Sequence, residues 1–125
     1  MGAVKIDKAD KLWSLYVRTR DNWTCQRCFT RYEPPTSALH CSHFWGRGRE
    51  STRFDEQNCM AACYGCHRYL TAHPEEHRNF QLKRLGQREF DALMIRANTY
   101  HKKDRAMEVI RIKAMLVDLD KMLVV

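Results

Sequence analysis

The sequence predicts an α+β fold in which a small metal-bound core lies between N- and C-terminal helices. Three observations carry that prediction: two Cys-x-x-Cys pairs, a short strand-like run between them, and apolar residues at helical spacing on either side. A chain of 125 residues, 44% hydrophobic and 30% charged, has the size and composition of one folded domain. No apolar run approaches the roughly 20 residues of a membrane-spanning helix. The first residues, Met1-Gly2-Ala3-Val4-Lys5, lack the apolar core of a secretory signal, so a cytoplasmic protein is expected.

The first helix is predicted over 7–20. Asp7 is a plausible N-cap with Asp10 in the first turn, and Ala9, Leu12 or Trp13, Tyr16 and Val17 recur at helical spacing. Asp21-Asn22 breaks it before the first cysteine pair. Glu33-Pro34-Pro35-Thr36-Ser37 is a loop, because two prolines remove donors and fix an extended path. Ala38 to Phe44 reads as a strand, and Gly46-Arg47-Gly48-Arg49 as a turn carrying two cations. Arg53 to Asn58 is expected to be irregular, with a helix beginning between Ala61 and Cys66 and passing Leu70. A further helix spans Glu75 to Leu85, with Gly86 as its C-terminal stop. Phe90, Leu93, Met94 and Ala97 mark the next, and the last runs from about Asp104 to Leu123. Its apolar seam of Val109, Ile112, Leu116, Leu119 and Leu123 could dimerise, giving monomer or homodimer. Packing within the chain against the Phe90–Ala97 stripe is preferred, since two heptads make a marginal coiled coil. The organisation expected is thus a single domain over 1–125: the N-terminal helix at 7–20, a zinc-bound core at 25–70 and helices over 75–123.

The six cysteines define the chemistry of the core. Cys25, Cys28, Cys63 and Cys66 form the two Cys-x-x-Cys knuckles, each able to turn both sulfurs toward one ion, so together they predict a tetrahedral structural zinc site. A disulfide scaffold fits poorly with paired Cys-x-x-Cys spacing, and a redox motif would need one pair in a βαβ setting. Cys41 and Cys59 are left over and read as small buried hydrophobes. The balance of 22 Lys+Arg against 15 Asp+Glu gives a net charge of +7, with arginine in the majority. Guanidinium groups fork onto phosphate oxygens, so nucleic acid is the expected partner.

Between and beside the knuckles lie His43, Asn58 and His67. The pattern Cys25-x-x-Cys28, Leu39-x-x-x-His43, Asn58, Cys63-x-x-Cys66-His67 resembles an HNH endonuclease of the zinc-ribbon type. Residues 12–21, the His43-Phe44 pair and Thr52 to Asn58 are also similar to phage NinG/Rap-like recombination nucleases. The resemblance covers about residues 12 to 90. It implies a ββα-metal, treble-clef-like core that hydrolyses phosphodiester bonds of double-stranded DNA in a bacterial or phage-infected cell. It assigns His43 as general base, Asn58 as the amide that holds the base, and His67 as a ligand of a catalytic Mn²⁺ or Mg²⁺. Products with 5′-phosphate and 3′-hydroxyl ends follow from that mechanism.

Many HNH proteins place Asp directly before the base histidine, where this chain has Ser42. A neutral hydroxyl is a poor ligand for a hard cation. His40 shares a strand face with Ser42 by the two-residue period and is the candidate replacement, which would favour Mn²⁺ or another transition ion. His73 and His77 read as surface residues. Arg47, Arg49 and Arg53, close after His43, are the expected DNA contacts. The rival reading is a zinc-ribbon module that binds DNA without cutting it; RNA ranks below both, since no interleaved aromatic stacking motif is present.

Overall fold

The computed structural model describes residues 4–123, and of Leu123 the backbone alone. The expected seam contact of Leu123 and the character of the first three residues therefore lie outside the described residues. Helix α1 spans Lys8–Arg20, strand β1 Leu39–His43, strand β2 Cys59–Cys63, and helices α2 to α5 span Tyr64–Ala72, Pro74–Leu85, Gln87–Ala97 and Arg105–Leu123. Two 3₁₀ turns, Glu50–Thr52 and Glu56–Asn58, lie between the strands. The described residues form an α+β fold with five α-helices and a two-stranded antiparallel sheet. Among the described residues no helix is long and apolar enough to cross a membrane.

Helix α1 begins as its sequence dictates. The Asp7 carboxylate accepts from the Asp10 amide at 3.0 Å, and the Asp10 carboxylate accepts from the Asp7 amide at 2.9 Å. Such a reciprocal cap satisfies two otherwise orphaned donors and contributes about 1 kcal/mol. The helix expected to start between 61 and 66 starts at Tyr64, because Cys59–Cys63 pairs along β1 in the register Leu39↔Cys63 to His43↔Cys59. Gly86 separates α3 from α4 with φ of 82°, a backbone angle at which a side chain would be strained.

Two apolar clusters flank the hairpin. One gathers Trp13, Val17, Cys41, Phe54, Cys59 and Ile112; the other gathers Trp23, Cys25, Leu39, Met60, Cys66 and Leu70. Ile112 is fully buried against α1, with Val109, Leu116 and Leu119 packed beside it. The seam of α5 thus pairs with α1 and not with the Phe90–Ala97 stripe. Phe90, Leu93 and Ala97 are buried, but α4 packs on α3 and on the turn at Glu50–Thr52. Both stripes are apolar, so period alone could not say which one α5 would meet.

Candidate metal centre and histidine cavity

The first knuckle is a tight turn closed by backbone bonds. The Cys25 amide donates to the Thr30 carbonyl at 2.9 Å, and the Phe29 amide to the Cys25 carbonyl at 2.8 Å. Phe29 completes the turn with φ of 62°, where a bulky side chain is strained. The second knuckle is the start of α2: Cys63 is its N-cap and its sulfur accepts from the Cys66 amide at 3.4 Å. The Cys28 amide likewise reaches the Cys25 sulfur at 3.5 Å. The Gln26 amide bonds the Ala61 carbonyl at 2.9 Å and so fastens the first knuckle to β2.

The four sulfurs of Cys25, Cys28, Cys63 and Cys66 lie within 4.8 Å of one another, and the Cys28–Cys63 pair is 3.8 Å apart. Zinc–sulfur bonds of about 2.3 Å at tetrahedral angles separate ligands by about 3.8 Å, so this donor set fits structural zinc. Thiolates are the ligands. The Thr30 hydroxyl and amide hold the Cys28 thiol down at about 6, whereas burial pushes Cys66 up to about 12. The Arg27 guanidinium donates to the Cys66 sulfur at 3.4 Å while resting over the Tyr69 ring.

Around the other side of α2 the histidines converge. A cavity of about 370 Å³ is lined by His43, Arg47, His67, Thr71 and His77 among others. An adjoining cleft of about 350 Å³ is lined by His40, His67 and Arg68, so His67 stands between the two. The Nδ1 atoms of His40 and His67 are 3.1 Å apart. That is hydrogen-bond distance between the two rings, and it is also the spacing of adjacent ligands held at about 2.1 Å and about 90° by one six-coordinate ion. Burial, followed by the nearby His40, Arg47 and His43, lowers the His67 pKa and keeps its ring neutral, as coordination requires. The Ser42 hydroxyl is buried without a hydrogen-bond partner.

His43 is held by backbone. Its Nε2 lies 3.0 Å from the Arg53 carbonyl, which only accepts, so Nε2 carries a proton and Nδ1 is the position left to titrate. Burial opposes the charged ring, but the Cys59 sulfur and the Arg53 carbonyl outweigh it and raise the His43 pKa. Asn58 does not reach the ring. It is buried, its Oδ1 accepting from the Trp45 amide at 2.8 Å and its Nδ2 donating to the Trp45 and Thr52 carbonyls at 2.9 Å each. The amide therefore pins both ends of the 44–58 loop, and it acts on His43 only through that loop.

The three arginines expected at DNA have different surroundings. Arg53 is 5% exposed and forks onto Asp10 at 2.9 and 2.5 Å, with a further bond to the Lys5 carbonyl. That guanidinium is committed to a buried ion pair. Arg49 rests over the Trp45 ring and donates to Ala97 and Asn98. Arg47 is half-buried on the cavity wall, its Nε unpartnered and 3.9 Å from Asp10. Two groups escaped the sequence reading. His77, expected at the surface, is half-buried on the cavity with its ring 5.0 Å from Phe44, and Arg68 borders the His40–His67 cleft. The four-residue offset of His77 from His73 was a signal available for the first; Arg68, next to His67, had none.

The fold and the four-sulfur cluster define a small α+β chain with the donors for one structural metal ion. The family model described as the bacteriophage lambda NinG protein matches residues 4–123, and the chain belongs to that family. No curated protein and no solved structure matches it.

Proposed function

We propose that the chain is a metal-dependent DNA endonuclease of the HNH type, with a ββα-metal core formed by β1, β2 and α2. The observation that carries this reading is the cavity shared by His43 and His67, with the His40–His67 nitrogen pair 3.1 Å apart at its edge. His43 is the base that takes a proton from the attacking water. Its Nε2–H is fixed on the Arg53 carbonyl, and its Nδ1, buried and unpartnered behind the cavity wall, holds the lone pair that the water would have to reach. His40 and His67 hold the divalent ion, and imidazole donors favour Mn²⁺ over Mg²⁺. The ion supplies positive charge to the scissile phosphate and to the leaving 3′-oxygen. Arg47, Arg49 and Arg68 face phosphate groups of the duplex, whereas Arg53 and Asn58 set the loop that positions the base. Zinc in the four-cysteine site holds the knuckles together.

Ser42 favours the second reading, a DNA-binding module without chemistry, because a neutral buried hydroxyl replaces the usual acid. One experiment separates the two. Supercoiled plasmid is incubated with the protein and Mn²⁺ or Mg²⁺, with and without chelator, beside His43→Ala and His67→Ala. Metal-dependent nicking that both substitutions reduce by at least about 100-fold supports the nuclease. Salt-sensitive binding with no nicking at any metal selects the module.

A further inference from the structure

We infer that Cys41, His43 and Cys59 form a second binding site for a thiophilic divalent ion such as Zn²⁺, separate from the four-cysteine cluster. The strand register builds it. Cys41 and His43 are two residues apart on one face of β1, and Cys59 is the cross-strand partner of His43. Their two sulfurs and one ring nitrogen lie within 4.8 Å of one another, the same closeness that gathers the four knuckle cysteines.

Three further features are those of a ligand set. The Nδ1 of His43 is buried and has no hydrogen-bond partner, although the opposite ring nitrogen is bonded to a carbonyl. Metal-bound imidazoles are oriented in this way, the distal N–H anchored and the lone pair free for the ion. Burial and the neighbouring Cys41 push the Cys59 thiol well above its ordinary range, and the indole of Trp13, donating its Nε1–H to that sulfur at 3.3 Å, is a donor ready for the thiolate that an ion would create. Cys41 and His43 also line the histidine cavity, which supplies an entry path and room for a small fourth ligand. On binding, two thiol protons leave to solvent, and two thiolates with one neutral imidazole balance the dication. The filled site is then uncharged, so the ion adds no net charge to the interior.

The site has a consequence that rests on the proposed hydrolysis. An ion on Nδ1 occupies the lone pair that would accept the proton from water, so Zn²⁺ here would block the base.

The test is metal content of the reduced, dialysed full chain, with Co²⁺ substitution as a spectroscopic check. Wild type is expected to retain about two zinc ions, and Cys41→Ala and Cys59→Ser about one each, with a matching loss of sulfur-to-cobalt absorption. Two separate variants are used so that a folding failure in one leaves the other decisive, with circular dichroism as the control. One ion in wild type and variants alike overturns the inference, as do two ions retained by either folded variant, or a Cys41–Cys59 disulfide persisting in the reduced chain. If nicking is found, excess Zn²⁺ at fixed Mn²⁺ is expected to suppress it at least tenfold in wild type. If no nicking is found, the metal count still decides the binding site by itself.

Discussion

The two apolar clusters flanking the hairpin both contain a pair of buried cysteines, but they are held together differently. The cluster around Trp23, Cys25, Cys66 and Leu70 has as many buried residues as the other but is assembled on the two knuckles, a buried cysteine of each lying within it. The cluster around Trp13, Val17, Cys59 and Ile112 is bound by helix packing and by arginine–carboxylate pairs from three segments. An ion held by the four sulfurs would add metal-coupled folding energy to the apolar packing of that cluster. Where two helices can close over the sheet, buried sulfur is not needed for cohesion and is free for another use.

Removing zinc sharpens that contrast most. Chelation, or Cys63→Ser, is expected to destabilise the knuckle cluster by on the order of 10 kcal/mol of metal-coupled folding. Trp23, in that cluster, should report the loss by fluorescence under conditions in which Trp13 still reports a packed environment. Simultaneous loss at both indoles would show that the two regions are one cooperative unit.

Next in size is the buried ion pair. Asp10→Asn leaves the Arg53 guanidinium, 5% exposed, with only the longer carboxylate contacts to Glu50 at 3.5 Å and Asp7 at 4.0 Å, and a cost of about 3 kcal/mol is expected in urea unfolding. Burial opposes ionisation of Asp10, but its bonds from Arg53 and the Asp7 amide outweigh this and hold the carboxyl below its ordinary 3.8. Because the folded value is depressed, this stabilisation is complete above the ordinary value and is lost as pH falls through the folded one. The wild-type chain should lose more stability than Asp10→Asn between about pH 4 and the acid limit. Equal acid slopes would remove Asp10 from the account.

Ile112→Ala probes the helix-built cluster directly. A cost of about 2–4 kcal/mol that does not change with protein concentration is expected if α5 closes on α1 of its own chain. A concentration-dependent midpoint would point to a dimer. The smallest effect belongs to the knuckle turn, where Phe29→Gly relieves a left-handed φ at an exposed position. A gain of about 0.5–1 kcal/mol in the zinc-loaded chain is expected from thermal melts.

What could be read in the sequence was local. The Asp7–Asp10 cap and the two Cys-x-x-Cys turns are short-range patterns, and each is formed by the residues that signal it. The partners of Arg53 and Ile112 are distant in sequence, those of Asn58 lie within an irregular loop, and arginine after histidine looks the same whether it faces phosphate or Asp10. Cys41 and Cys59 escaped for a related reason. Their convergence on His43 depends on the pairing of β1 with β2, and a one-residue slip would turn one strand's side chains to the other face. The Cys-x-His alternation on a strand was the trace that register alone could interpret.

The carbonyl that anchors the His43 ring belongs to a short bend gripped from several directions. Arg53 itself clasps Asp10, Arg111 of α5 donates to the Phe54 carbonyl at 3.0 Å, and Arg105 of α5 bridges Asp7 and Glu50. The aim of one imidazole is therefore leveraged by the far end of the polypeptide. Shortening the chain ahead of residue 105 would spare every histidine and every cysteine, yet it would unmoor the ring from its heading.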